Sequence, residues 1–225
     1  MLILAVDTSG GVCSAAVLNG NCILSESYIN AGRTHSETIG PMIDFCLSCL
    51  GRSVRDIDLF ACAAGPGSFT GLRIGTGMIK AFAHASGKPA VGINTLDALA
   101  RNVRGADETV CPVIDARRGE VYTAAYKNGK RISEYKAAPL DVVLEELKGA
   151  PALFLGDAAL KYNDKITAAG YAAAHEGVIL QRAGSVGLEA YDMYQNGKVS
   201  DAFRLEPFYL RETQAERVLA EREGQ

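Results

Sequence analysis

Gly65-Pro-Gly-Ser-Phe-Thr-Gly-Leu-Arg-Ile-Gly75 is the stretch on which the reading of this chain turns. It follows an apolar run, 58–64, and leads into residues with helical apolar spacing, Leu72, Met78, Ile79 and Phe82. Strand, glycine-rich turn and helix is the layout that lets backbone N–H groups approach a ligand or another chain closely. The spacing excludes two common nucleotide loops. A Walker A loop needs Gly-Lys-Ser/Thr and no Lys stands here; the dinucleotide fingerprint needs G-x-G-x-x-G, and this run is G-x-G-x-x-x-G. The residues establish a tight turn and leave its occupant open.

Outward from this turn the chain repeats itself. Residues 5–28 and 113–135 share one grammar: an apolar strand ending in Asp, a small turn, and an alternating strand running to Asn-Gly. Asp7 pairs with Asp115 and Gly11 with Gly119 at a common offset. Asn19-Gly20 and Asn128-Gly129 both suit a type I′ hairpin turn. Elsewhere the pattern predicts helices over 36–50, 71–87, 95–104, 139–148, 157–168 and 183–196, and strands over 57–64, 89–93, 152–156 and 177–180. Strands alternating with helices imply an α/β fold with mixed sheets. We divide the chain into an N-terminal subdomain, 1–104, a C-terminal one, 105–200, and a tail, 201–225, whose charged end from 212 is expected to fray.

The 225 residues carry a formal net charge of −3, with 48% hydrophobic and 22% charged residues. That balance is ordinary for a globular protein and argues against a dedicated nucleic-acid module, which would show a basic stripe. No stretch approaches the ~20 apolar residues of a membrane span, and the opening lacks the basic region of a signal peptide. A cytoplasmic protein is expected. Six cysteines include Cys46-x-x-Cys49 but no second close pair, so reduced and mostly buried thiols are expected rather than a zinc ribbon.

Two halves, each opening on a strand, an Asp-bearing turn and a hairpin, resemble the duplicated actin/Hsp70/sugar-kinase (ribonuclease H-like) superfold. Leu4-Ala-Val-Asp-Thr-Ser9, Arg33-Thr-His-Ser-Glu37, the run from Gly65 to Gly75 and Pro207-Phe-Tyr-Leu-Arg211, in this order, resemble the TsaB (YeaZ) family, bacterial proteins of tRNA threonylcarbamoyladenosine synthesis. The resemblance implies a non-catalytic subunit that binds and activates a paralogous transferase, TsaD, and assembles with an ATPase, TsaE. It implies that tRNA is met indirectly, through the complex. The transferase carries a metal-binding His-Met-Glu-Gly-His; Thr95 and Leu99 stand where its two histidines fall, and neither is a good transition-metal ligand. No metal and no cofactor of its own are expected, with ATP/ADP and Mg²⁺ at complex interfaces. In isolation a homodimer, through the face that would bind the transferase, is expected.

Two sets of residues are candidates for these roles. A degenerate nucleotide site is expected from Asp7, Thr8, Ser9, Gly67, Ser68, Asp115 and Arg118, although Asp7 also reads as an Asx turn, and Arg117 and Arg118, two bulky cations in place of small polar residues, read as partners for phosphate or an acidic partner or as a solvated turn. The partner interface is expected from His35, Ile39, Met42 and Cys46 on one helix, and from Gly71, Leu72, Arg73, Gly75, Met78, Ile79 and Phe82 on the next. Thr34 and Glu37 have capping-box spacing, so the first helix should start near His35. Gly71, Gly75 and Gly77 each cost about 1 kcal/mol relative to Ala, so close packing must offset them, either on the chain's own sheet or across a helix–helix interface. On the resemblance the interface is the expectation, with Leu at 71 and 75 blocking association in a chain that still folds. An ATP-dependent phosphotransferase of the sugar-kinase type is the alternative function; a metallopeptidase lacks paired histidines.

Overall fold

The computed structural model describes residues 1–199 and 202–211. Its first sheet is built on β1 (Leu2–Asp7), a continuous apolar strand that can sit only between two covered faces. β1 pairs antiparallel with β2 (Cys13–Asn19) and parallel with β4 (Leu59–Gly65). β3 (Cys22–Ile29) and β5 (Ala90–Asn94) complete the order β3-β2-β1-β4-β5. Period-two alternation sends Leu4 and Val6 to one face and Ile3 and Ala5 to the other. The first face is covered by α1 (His35–Ser48) and α2 (Phe69–Ser86), through Ile39, Ile43, Cys46 and Ile79. Each such fully buried aliphatic side chain stabilises the fold by about 1.5–3 kcal/mol.

The duplication is seen in the topology. β6 (Thr109–Arg117), β7 (Glu120–Thr123), β10 (Lys136–Pro139), β11 (Ala152–Leu155) and β12 (Ala172–Ala173) form the path β10-β7-β6-β11-β12, with the same antiparallel and parallel pairings as the first sheet. The second copy adds a small hairpin, β8 (Tyr126–Lys127) and β9 (Lys130–Arg131). Its turn, Asn128-Gly129, has positive φ at both residues, as type I′ demands. The first copy departs from that expectation. Asn19 pairs with Cys22, so the turn residues are Gly20-Asn21, and only Gly20 is left-handed, the requirement of a type II′ turn.

Helices cover this sheet too: α4 (Leu140–Glu146), α5 (Asp157–Lys161) and α6 (Asn163–Ala168). The helix expected over 157–168 is broken at Tyr162, whose φ of −115° and ψ of 25° leave the helical region. The strand expected at 177–180 does not form. There the Val178 and Leu180 carbonyls accept from the Asn102 amide, and Ile179 accepts from Gly156, so these groups are not offered to a ladder. The capping box expected at Thr34 is also absent: α1 starts at His35, but the Thr34 hydroxyl makes no cap bond. A capping box forms instead at Ser53 and Asp56, on a short 3₁₀ turn.

The second half returns to the first. α7 (Ala183–Gln195) lies with α3 (Thr95–Arg101) on the far face of the first sheet, burying Ala183, Val186 and Ala190 against Ile3 and Leu18. Its first-turn N–H groups are capped from that sheet, Ala183 N by Ser14 Oγ and Gly184 N by Glu26 Oε1, both at 2.9 Å. Arg101 ties α3 to α7 through Glu189 and Asp192, each at 2.7 Å. The tail then crosses back: Phe208 N donates to the Ala64 carbonyl at 2.7 Å, and Arg211 pairs with Glu120. The end expected to fray, 212–225, lies outside the described residues.

Candidate functional site

The turn after β1 is closed by its own side chains. Asp7 is 1% exposed, and its Oδ1 accepts from Ser9 N at 2.9 Å and Ser9 Oγ at 2.6 Å, which is the Asx turn. Burial pushes its carboxyl up to about 6, against the opposing pull of the Ser9 bonds and of His35. Thr8 Oγ1 donates to the Gly71 carbonyl at 2.7 Å, and Ser68 N donates to the Ser9 carbonyl at 2.7 Å. The turn and the start of α2 are thus one hydrogen-bonded unit.

This contact decides the glycines. A Cβ on Gly67 or Gly71 would stand less than 3.0 Å from the Ser9 or Thr8 carbonyl oxygen, and one on Gly75 would stand 2.5 Å from Thr8 Oγ1. Gly71 and Gly75 are therefore needed by the chain's own packing, and the expectation that Leu could replace them in a folded chain is corrected. Gly77 is different: it is exposed, with nothing within 4 Å of its Cβ position. Ser68, expected near phosphate, accepts instead from Gly71 N as the N-cap of α2.

The second turn is also occupied. Asp115 Oδ2 pairs with Lys161 Nζ at 2.7 Å, and its backbone N donates to Asp157 Oδ1 at 3.0 Å. Arg117 and Arg118 stand at φ 63° and 56°, left-handed backbone that costs about 1 kcal/mol or more for a bulky residue. Arg118 is exposed. A magnesium nucleotide does not fit this pair of turns: the Asp7 carboxylate is sealed from solvent and Asp115 is neutralised by Lys161. No group of three or more His, Cys, Asp or Glu side chains that could hold a metal occurs among the described residues.

His35 is half-buried, and its Nε2–H donates to the Gly10 carbonyl at 2.9 Å, so it braces the first turn; its buried Nδ1 has no protein partner. Gln181 packs against Gly10 and is 1% exposed, with neither amide atom bonded. No sequence signal marked Gln181, or Lys161 as the partner of Asp115.

The expected partner face needs the larger correction. Ile39, Met42, Cys46, Leu72 and Ile79 are core residues, none more than 4% exposed, because helical apolar spacing marks the side that meets the sheet. Of the expected set, Arg73 is exposed and Met78 and Phe82 are half-buried. The outward sides of α1 and α2, which lie side by side on one sheet face, carry Pro41, Phe45, Gly77 and Ala81 as well. Phe45 is 58% exposed and was not foreseen. Cys13, Cys46, Cys62 and Cys111 are buried and Cys22 and Cys49 exposed, all as free thiols. No helix among the described residues is long and apolar enough to cross a membrane.

Comparison with known proteins accords with this fold. The family model for TsaD, tRNA N6-adenosine threonylcarbamoyltransferase, matches residues 25–193. The tRNA threonylcarbamoyladenosine biosynthesis protein TsaB of Escherichia coli (strain K12) is 32% identical over 220 residues, spanning 94% of this chain and 95% of that one. YeaZ from Pseudomonas aeruginosa superposes with a TM-score of 0.79 at 27% identity, over 93% of this chain and 99% of that chain. A ROK hexokinase from Thermus thermophilus, at TM-score 0.51 and 13% identity over 88% of this chain and 100% of that one, shares the actin/Hsp70/sugar-kinase fold alone. A relative more than 30% identical along nearly the full length of both proteins fixes the assignment: the chain belongs to the TsaB family.

Proposed function

We propose that this chain serves tRNA N6-threonylcarbamoyladenosine synthesis as a non-catalytic subunit, pairing with a TsaD-type transferase and assembling with a TsaE-type ATPase in the cytoplasm. The observation that carries the reading is the exposed Pro41 and Phe45 of α1 beside the small residues Gly77 and Ala81 of α2, within an outer side that also carries charged residues. Phe45 is 58% exposed on a helix whose opposite side is fully buried, and Gly77 on the neighbouring helix leaves its backbone bare for close approach. A subunit of the same superfold can meet such a face with its own two helices, and the isolated chain can meet a second copy there. Binding would favour the transferase's active arrangement only through contacts stronger in that state.

The interior supports an accessory role. Thr95 and Leu99, standing by resemblance where the transferase has its metal histidines, are buried in α3 at 0% and 1% exposure. The chain brings no cofactor in this reading; ATP/ADP and Mg²⁺ belong at interfaces of the complex. The phosphotransferase alternative needs a free carboxylate at the turns, and Asp7 and Asp115 are both engaged.

Reconstitution tests the proposal. Transferase, ATPase, threonylcarbamoyl-adenylate and tRNA are combined with and without the chain, and N6-threonylcarbamoyladenosine is measured. Modification that depends on the chain, and none by the chain alone, is the expected result. Equal modification without it, or modification by the chain unaided, overturns the proposal.

A further inference from the structure

An aromatic and arginine surface lies where the tail crosses the start of α2, beside the turns rather than inside them. Phe69 and Tyr209 pack with ring centroids 5.4 Å apart and planes tilted by 33°. The Arg73 guanidinium lies 3.9 Å over the Phe69 ring, and its Nε donates to Tyr209 Oη at 3.2 Å. The row continues through Phe208, 6.2 Å from Tyr135, to Arg131, whose guanidinium lies 4.1 Å over the Tyr135 ring. Phe69, Phe208 and Tyr209 keep 41%, 41% and 37% of their surface exposed. Beside the row, Arg211 pairs with Glu120, the register partner of Arg117, so the exposed Arg117 and Arg118 stand at its rim.

We propose that this surface holds an unpaired loop of an RNA substrate, giving the chain a direct RNA contact. The inference rests on the reading that the chain serves tRNA modification. The exposed Phe208 and Tyr209 rings offer surface on which bases stack, and the Arg73 guanidinium, fixed over Phe69 through its Nε bond to Tyr209, directs its terminal N–H groups to phosphate, whereas Arg131 is already engaged by the Ser133 carbonyl and Glu134. That pairing of flat faces with fixed cations fits single-stranded RNA better than an acidic peptide, which has the charge without the planar groups. The positive charge is local, because the chain as a whole carries −3. Glu120 and Glu134 lie in the same region, each already paired with an arginine. Arg73 also stands one helical turn before Gly77, so the surface runs into the proposed partner face and a loop held here would lie beside the transferase.

The test uses the full chain and a fluorescein-labelled RNA hairpin with an unpaired, adenosine-rich loop, against the same stem as a blunt duplex. Anisotropy is read across a salt series, and a second hairpin with iodouridine in the loop is photocross-linked and the peptides mapped. The expected results are preference for the loop, cross-links to the peptides containing Phe69 or Tyr209, and binding weakened about five- to a hundredfold by Phe69→Ala or Tyr209→Ala. Tyr209→Phe, which keeps the ring, should bind nearly as the native chain does. Arg73→Ala should lower the salt slope by about 0.7. Melting curves of the variants exclude unfolding as the cause. Equal binding of loop and duplex, cross-links elsewhere or nowhere, or undiminished binding by the Phe69→Ala, Tyr209→Ala double variant overturns the proposal. Loss of transferase binding with RNA binding intact would identify a protein contact and overturn it too. Since no modification is measured, failure here leaves the accessory-subunit reading standing.

Discussion

Gly71→Ala and Gly77→Ala add the same methyl to the same helix and should move stability in opposite directions. At Gly71 the new Cβ would stand less than 3.0 Å from the Thr8 carbonyl oxygen, where ordinary contact begins at 3.4 Å. The obstacle is main chain, so no rotamer change relieves it. Nor can the turn retreat freely: Thr8 is 1% exposed, its hydroxyl is bonded to Gly71 O, and the next carbonyl, that of Ser9, is bonded to Ser68 N. Overpacking of this kind costs about 1–3 kcal/mol, and a rigid backbone stop puts it at the upper end. Against that, Ala in place of Gly returns up to about 1 kcal/mol of helix propensity. The net expectation is a loss of about 2 kcal/mol, or a fall in Tm of roughly 4–8 °C for a chain of this size. At Gly77 nothing lies within 4 Å of the Cβ, so only the propensity gain remains, about 1 kcal/mol and 2–4 °C upward. Thermal and urea melts followed by far-ultraviolet circular dichroism measure both. A Gly71→Ala chain as stable as the native one would show that the turn yields and that α2 does not need this approach.

Further tests address charge and contact. Asp7 has its folded value raised from 3.8 to about 6, so the protonated form favours folding. Stability owed to this group is therefore greatest below the unfolded value and falls as pH rises toward 6. Asp7→Asn should equal the native chain near about pH 4 and exceed it near about pH 7 by on the order of 3 kcal/mol, at about 1.4 kcal/mol per unit; a gain independent of pH would contradict the assignment. Arg101→Ala leaves the partly buried Glu189 without its guanidinium, while the more exposed Asp192 keeps Arg104, and should cost about 2 kcal/mol, measured by urea unfolding, whereas a loss below about 0.5 kcal/mol would mean that the bridge is solvated. Phe45→Glu should leave the melting temperature nearly unchanged, because the ring is 58% exposed, yet abolish co-elution with the transferase; an intact heterodimer would exclude this face as the contact.

The duplication made the topology legible. Two copies of strand, Asp turn and hairpin predicted two sheets, and the pairings in β3-β2-β1-β4-β5 and β10-β7-β6-β11-β12 are the same. Legibility stopped where one residue type serves two physical ends. Asn128-Gly129 makes the expected type I′ turn, but the equivalent dipeptide at Asn19 shifts by one residue because Asn19 itself pairs with Cys22. Ile39 and Ile79 were apolar at helical spacing, which identifies the sheet-facing side and says nothing about a partner. Phe45, the exposed exception, falls outside that periodicity. Gly71 and Gly77 look alike in one dimension; only the position of Thr8 separates them. The placement of α7 was hidden for a related reason: an apolar helix face does not say which of two sheets it covers, and the caps that choose, Ser14 and Glu26, lie far away in sequence.

The two turns show how a duplicated fold can keep its shape while changing what its turns face. A buried carboxylate must find donors, whether these come from a ligand or from the protein. In the first copy Ser9 supplies both a backbone N–H and a hydroxyl to Asp7, and the sealed turn becomes the seat on which α2 rests through Gly67, Gly71 and Gly75. In the second copy Lys161 supplies the charge to Asp115, and Arg117 and Arg118 are carried outward on left-handed backbone. Both solutions use the chain's own side chains, so neither leaves the fold dependent on an added ligand for its polar groups. The first removes a charged turn from solvent and spends it on packing; the second places arginines at the rim of the aromatic row where the tail crosses α2. Two copies that share a path through space have thus become, respectively, a brace for a helix and a support for exposed cations, and it is the surfaces around the turns that remain available to other molecules.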